Sequence, residues 1–309
     1  MLRYFLIKGA VFLLSLWAAF TMTFFLMHAI QGDPFLGDHP IPKEVLQKLH
    51  AYYGLDLPLT RQYVLYLERI GHLDLGYSIL YPGKTVWELI REGWGPSALL
   101  GLQALCLAIP GGIFLGTWTA IKKTSWQDTA ILILCAAGVS LPSFVLAGLL
   151  QWIFCLQLPW LPIAGWGAWP HTILPTLALA ALPTAYITRL TRTRLREVLE
   201  EYYIQTAKAK GLSMFRIAYQ HGLRSALLPV VAYLGPAASH IVMGSLMIEK
   251  IFSIPGLGKW MIQSILARDY PVILGLTIFF SFFLMLSNFF VDIIYGLMDP
   301  RVRASKEYE

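Results

Sequence analysis

The chain has 309 residues, 57% hydrophobic and 14% charged, with a formal net charge of +6. A soluble globular chain carries about 25% charged residues, so this one has too little polar surface to fold in water and belongs in a bilayer, where helices are apolar on every side. The positive charge then reads as a topology signal, and no nucleic-acid partner is expected.

Between Gly9 and Gly32 there is no formal charge, and Arg3 and Lys8 precede the run. A signal peptide has an apolar region of about 7–15 residues. This run is longer and has no small-x-small cleavage site, so residues 1–31 are expected to form an uncleaved first membrane helix. Residues 32–95 form an external segment too long for a plain connector. Over residues 42–53, Val45, Leu46 and Leu49 share one helical face and Glu44, Lys48 and His50 another. Over residues 60–70, Tyr63, Leu65, Tyr66 and Leu67 are interleaved with Arg61, Glu68 and Arg69. Such helices would lie on the membrane or cap the outer mouth, as a structural lid or as a docking site.

A second span is expected over residues 96–120. The charge-free stretch over residues 129–188 is too long for one helix. It is broken by Leu158-Pro159-Trp160-Leu161-Pro162 and by Gly165-Trp166-Gly167-Ala168-Trp169-Pro170, where prolines end helices and tryptophans favour the lipid–water boundary. Spans three and four are therefore placed at 129–154 and 172–190. Span five covers 227–248, with kinks expected at Pro229 and Pro236, and span six covers 271–295. Residues 96–297 thus hold a core of five membrane helices, and 298–309 form a tail.

Six spans put both ends on one side. That side receives Arg3 and Lys8, Lys122 and Lys123, the basic run from Arg189 to Arg224, and Arg301, Arg303 and Lys306. The bases of the long loop on the other side are offset by acids, among them Asp33, Asp38, Asp56 and Asp74. The positive-inside rule makes both termini cytoplasmic.

The cytoplasmic segment 191–225 is polar and helical. Leu195, Val198, Leu199 and Tyr202 recur at helical spacing, with Glu197, Glu200, Glu201, Lys208 and Lys210 between them. Gly211 supplies a left-handed residue to end that helix, and Ser213 an N-cap for a second one over 214–222. The apolar side chains of this hairpin need a partner: the bilayer surface, the protein's own helices or a soluble subunit. Periodicity does not choose among them.

Signs of catalysis are lacking. There is no HExxH, no GxSxG and no carboxylate cluster near a bilayer face. Gly256-Leu257-Gly258-Lys259 is glycine-rich, yet Ser253 stands where a P-loop needs its first glycine and Trp260 follows the lysine. No nucleotide site and no metal site are expected. Cys106, Cys135 and Cys155 read as small apolar packing residues. An ion-coupled secondary transporter would place ionisable groups deep in the membrane. The candidates are Glu249 and Asp292, expected to snorkel or pair at the interface, and His240, read first as a packed, hydrogen-bonded histidine and alternatively as a residue lining the pathway.

The cytoplasmic hairpin resembles the loop of ABC importer permeases whose pattern is EAA, three residues, glycine, nine residues, then I-x-L-P. With that glycine on Gly211, Gln205-Thr206-Ala207 stands at EAA and His221-Gly222-Leu223-Arg224 at I-x-L-P. The wider string is more specific. Tyr203-Ile204-Gln205-Thr206-Ala207-Lys208-Ala209-Lys210-Gly211-Leu212-Ser213, with His221-Gly222-Leu223-Arg224-Ser225-Ala226-Leu227-Leu228-Pro229, resembles the B-type permease of the dipeptide/oligopeptide branch. Further likenesses are Gly32-Asp33-Pro34, Asp74-Leu75-Gly76-Tyr77-Ser78, Ser140-Leu141-Pro142-Ser143-Phe144, Arg268-Asp269-Tyr270-Pro271 and Asp299-Pro300-Arg301.

The resemblance implies an all-α integral membrane fold, the type I ABC importer transmembrane domain, in the bacterial inner membrane. It implies a permease for di- or oligopeptides, with nickel complexes, glutathione or haem as alternative cargoes of the same branch. The implied partners are a homologous second permease, two ABC ATPases and an external substrate-binding protein, besides membrane lipid. ATP and magnesium would be bound by the ATPases and no cofactor by this chain. The ATPase-coupling loop would consist of Glu201, Tyr202, Gln205, Thr206, Ala207, Lys208, Lys210, Gly211, Leu212 and Ser213.

Overall fold

The computed structural model describes residues 2–29, 32, 34–35, 42–123 and 125–298, with side chains at the two ends described from Ile7 and up to Ile294. The expectations for Arg3, Lys8, Asp33, Asp38, Tyr295, the Asp299-Pro300-Arg301 stretch, Arg303 and Lys306 therefore lie outside what is described.

In chain order the helices are α1 (Leu2–Ala29), α2 (Lys43–Tyr53), α3 (Leu59–Gly71), α4 (Val86–Ile121), α5 (Trp126–Ser140), α6 (Ser143–Gln151), α7 (Pro170–Leu199), α8 (Tyr202–Ala209), α9 (Met214–Ile217), α10 (Leu223–Ala226), α11 (Leu228–Val242), α12 (Leu246–Ile251), α13 (Leu257–Ala267) and α14 (Tyr270–Met298). A π turn over Trp152–Gln157 continues α6, and another over Ala218–Gly222 joins α9 to α10. Among the described residues, β pairing is confined to one isolated bridge between Tyr77 and Thr85. Among the described residues, five spans are long and apolar enough to cross a membrane, and six if a bent pair counts as one. The fold is the expected all-α, multi-span architecture.

The chain divides into two compact units, Met1–Gly95 with Gly256–Phe282, and Pro96–Pro255 with Phe283–Glu309. In the first, Phe20, Phe24 and Met27 of α1 pack with Tyr66 of α3 and with Tyr270, Ile273 and Leu274 of α14. Of the expected apolar set on α3, Tyr66 is buried and Tyr63 and Leu67 pack against this cluster, whereas Leu65 is exposed and the polar Gln62 is buried. Tyr63 adds a hydrogen bond to Thr21 at 2.9 Å. Helix α2 buries no residue at all.

Helix α4 begins at Val86, well before the expected Pro96. The reason is a reciprocal capping box: Glu88 N donates to Thr85 Oγ1 at 3.2 Å, and Thr85 N to Glu88 Oε2 at 2.8 Å. The carboxylate of the buried Asp269 accepts from Ser78 Oγ, from Leu80 N at 3.0 Å and from Val272 N at 3.4 Å, tying the loop before α4 to the start of α14.

In the second unit, α4 lies backbone-to-backbone on α7 through Gly112 and Gly116. A Cβ at Gly112 would come within 2.7 Å of Ile187, and one at Gly116 within 2.6 Å of Thr191. This is the small-xxx-small device for close helix approach in lipid.

Three further spans depart from expectation. The third is not one helix: α5 and the α6 segment meet at a 108° bend. Pro142 explains it, because proline lacks an N–H and forces the preceding residue out of the helical region, and Leu141 is extended at φ −83°, ψ 123°. The fourth span does not stop near Leu190 but runs on to Leu199. In the fifth, α11 runs through Pro236, while Pro229 sits at its start. The interruption comes at Gly244 (φ +95°), between α11 and α12. Between the bent pair and α7, Trp160 and Trp169 stand exposed, as boundary tryptophans would.

Candidate functional site

The α8–α10 hairpin is built on the end of α7. That helix stops at Leu199, and Glu201 turns extended (φ −66°, ψ 149°) before α8 begins at Tyr202. The single helix expected through residues 195–210 is therefore two helices with a corner at Glu200–Glu201. Helix α8 ends at Ala209, and Gly211 follows with φ +77°. No neighbour lies within 4 Å of where its Cβ would be, so the demand for glycine there comes from the backbone angle alone. Gly211 N closes the turn onto Lys208 O at 2.9 Å. Ser213 N-caps α9 as expected, accepting from Arg216 N at 3.4 Å. The second helix runs on past the expected Gly222, through the π turn and α10 to Ala226.

Inward, Ile204 and Ala207 of α8, Ile217 of α9, Ala218 and Ala226 close over Leu195 and Leu199 of α7 and Ala120 of α4, and Leu212 packs against this cluster. One apolar face of the hairpin thus finds its partner within the chain, while Tyr203, Met214, Phe215 and Tyr219 remain exposed. Outward stand Glu201, Tyr202, Gln205, Thr206, Lys208, Lys210, Gly211 and Ser213, all exposed. Tyr202, expected to share the apolar stripe of Leu195 and Leu199, is instead 85% exposed, because the corner at Glu200–Glu201 rotates it away. Of the ten residues expected in the loop, Ala207 and Leu212 face in and eight face out.

The platform beneath the hairpin is clamped by charge. Ser125 caps α5, accepting from Asp128 N at 3.2 Å. Asp128 is buried and accepts two bonds from Arg192, at 2.9 and 3.0 Å, and a third from Arg196 Nη2 at 2.8 Å. The same Nη2 donates to Thr119 O at 2.8 Å, so one guanidinium joins α4, α5 and α7. Outside the membrane segments, Lys123 reaches Glu200 at 2.6 Å, and its ammonium holds that exposed carboxyl below the usual carboxylate range. Sequence reasoning counted Arg192 and Arg196 only as topology charges and began its charge-free stretch one residue after Asp128. The sequence showed only the parts, a lone acid in the first turn of an apolar helix and, more than sixty residues on, two arginines four residues apart.

Other expected positions sort as follows. Glu249 does not sit at an interface: it is 1% exposed and accepts from Ser97 Oγ at 2.7 Å. His240 is exposed and makes no hydrogen bond among the described residues, unlike the packed histidine expected. Asp292 is half-buried. Cys135 is packed, while Cys106 is exposed. Leu257, within the glycine-rich Gly256–Lys259 stretch, is a fully buried core side chain at the start of α13. Among the described residues, no three His, Cys, Asp or Glu side chains gather as metal ligands would.

A family model described as binding-protein-dependent transport system inner membrane component matches residues 112–304. Over 287 residues, 93% of each chain, the sequence is 45% identical to the dipeptide transport system permease protein DppB of Bacillus subtilis. It is 41% identical to the oligopeptide transport system permease protein OppB of Haemophilus influenzae, over 94% of this chain and 95% of that one. With OppB of Salmonella typhimurium it shares 40% identity over 98% of this chain and 100% of the relative.

Proposed function

This chain belongs to the family of binding-protein-dependent transport system inner membrane components, and we propose that it is the permease subunit of an ATP-driven importer carrying di- or oligopeptides across the bacterial inner membrane. The observation that carries the reading is identity of 40–45% along nearly the whole chain to permeases named for dipeptide and oligopeptide transport. No feature of the chain favours nickel complexes, glutathione or haem over peptides.

In this reading the basic run from Arg189 to Arg224 faces the cytoplasm together with both termini. A homologous second permease completes the pore, two ABC ATPases hold ATP and magnesium, and an external binding protein delivers the peptide. The exposed residues of the hairpin, from Glu201 to Ser213, seat in one ATPase. Ala207 and Leu212 pass the load inward through the apolar cluster to α7. The Asp128 clamp then passes it to α4 and α5, so that closure of the ATPases rocks the spans between inward-open and outward-open states. The chain itself performs no catalysis, in keeping with the lack of a P-loop sequence.

The test is ATP-driven peptide uptake by the reconstituted complex. Gly211→Val forces a β-branched residue into the left-handed region. The assembled variant is expected to hydrolyse ATP without importing peptide, and normal uptake by it would overturn the coupling role of the hairpin. The purified chain alone is expected to show no ATP turnover, and robust hydrolysis would refute the division of labour.

A further inference from the structure

Within their apolar, membrane-length segments, helices α7 and α11 carry exposed or half-buried hydrogen-bonding side chains that have no hydrogen-bond partner among the described residues. The rings of Tyr186 and Tyr233 stack at 5.5 Å between centroids, 24° apart, joining the two helices at one level. On α11, Ala232, Pro236 and His240 are exposed at successive four-residue steps, which makes them one stripe. Pro236 has no N–H, so the carbonyl of Ala232, one turn before it, receives no helical bond from it. Arg189, the first of the basic run and so, in the topology proposed above, at the cytoplasmic end of the stripe, is exposed one turn past Tyr186 on α7. All of these positions fall within segments long and apolar enough to cross a membrane.

Other polar side chains in these spans are mostly satisfied within the chain, the buried Thr191 hydroxyl on α7 being left without a partner among the described residues. Thr184 and Thr188 donate to carbonyls of their own helix at 2.6 and 2.7 Å, and Thr176 donates to Gln103 at 3.0 Å. The side chains of Tyr186, Arg189, Tyr233 and His240 make no hydrogen bond among the described residues. Turned toward lipid tails, each would cost up to several kcal/mol. A polar stripe at this depth belongs against a water-filled route or a polar solute.

We propose that this stripe lines the route of the translocated peptide, an inference that rests on the peptide-importer reading above. Tyr186, Tyr233, His240 and the Ala232 carbonyl meet its backbone amides, and Arg189 meets its C-terminal carboxylate. Tyrosine hydroxyls and a neutral imidazole both donate and accept, so they serve amide N–H and C=O groups alike and leave side-chain identity unread. From Arg189 to His240 the stripe rises roughly 15 Å along the helices. That is the length of about four extended residues.

The test uses the complete transporter in vesicles, with Cys106, Cys135 and Cys155 replaced by alanine. Tyr186→Cys, Tyr233→Cys and His240→Cys are introduced singly, with Leu134→Cys, on an exposed apolar position of α5, as the comparison. The probe is a charged, water-soluble methanethiosulfonate. The three stripe variants are expected to react at least about tenfold faster than Leu134→Cys, and trialanine with ATP is expected to slow that reaction. Rates no faster than that of Leu134→Cys would overturn the proposal, since burial against lipid or against the second permease would produce them. Tyr233→Phe, which keeps the ring stack, is expected to raise the uptake KM for trialanine about 3–10-fold. An unchanged KM would remove Tyr233 from the route. If the cysteine-free parent imports no peptide while the natural complex also fails, the peptide reading falls, whereas the labelling rates still judge the stripe.

Discussion

The α2–α3 hairpin and the α8–α10 hairpin are both short amphipathic units set between long membrane helices, yet they are fastened in opposite ways. The α8–α10 hairpin is sealed by Ile204, Ala207, Ile217, Ala218 and Ala226 against α7 and α4, over a platform locked by Asp128, Arg192 and Arg196. The α2–α3 hairpin is held mainly through one helix. Tyr66 is its buried apolar anchor, and Gln62 is its polar one, donating to Leu55 O and Leu57 O at 3.3 and 2.9 Å while its Oε1 meets His28 at 3.1 Å. Helix α2 contributes no buried residue. A unit that is to transmit a push needs close-packed contacts that do not slip. A unit fastened by a few hydrogen bonds along one helix opens locally at low cost.

The contrast can be broken at its strongest point first. Asp128→Ala leaves two guanidinium groups facing a buried site without their carboxylate and is expected to cost about 3–5 kcal/mol. The thermal midpoint of the purified complex should fall, and peptide uptake should fall with it. Gln62→Ala removes three hydrogen bonds and is expected to cost about 1–3 kcal/mol. Hydrogen exchange should then speed up in α3 and stay unchanged in α8–α10. Equal acceleration in both hairpins would mean that they are not separately fastened. Val45→Ser, at an exposed position of α2, is expected to stay within about 0.5 kcal/mol. A larger fall in thermal midpoint would give α2 a contact that its exposure denies.

The reach of sequence reasoning follows the range of the forces involved. Helix α3, the presence of the membrane spans though not their bounds, the turn at Gly211 and the cap at Ser213 were legible, because periodicity, a left-handed glycine and an N-cap act within a few residues. The capping box at Thr85 and Glu88 is equally local and was there to be read in Thr85-Val86-Trp87-Glu88. So was the bend at Pro142, from the effect of proline on the residue before it.

The Asp128 clamp was of another kind. Its partners lie on a helix more than sixty residues along the chain, with a loop and a bent span between, and no local pattern pairs them. The same holds for the stack of Tyr186 on Tyr233 and the exposure of His240, which depend on how α7 and α11 are rotated.

Composition and apolar run length alone determined that the chain lives in lipid, and the sequence around Gly211 marked the helix–glycine–helix turn on which the proposed coupling role rests. Only the tertiary structure decided which side of that hairpin faces outward, what holds it, and which polar groups are left open at bilayer depth. Burial and pairing between distant helices are set by three-dimensional packing, and a linear pattern records each helix's faces without saying what each one meets.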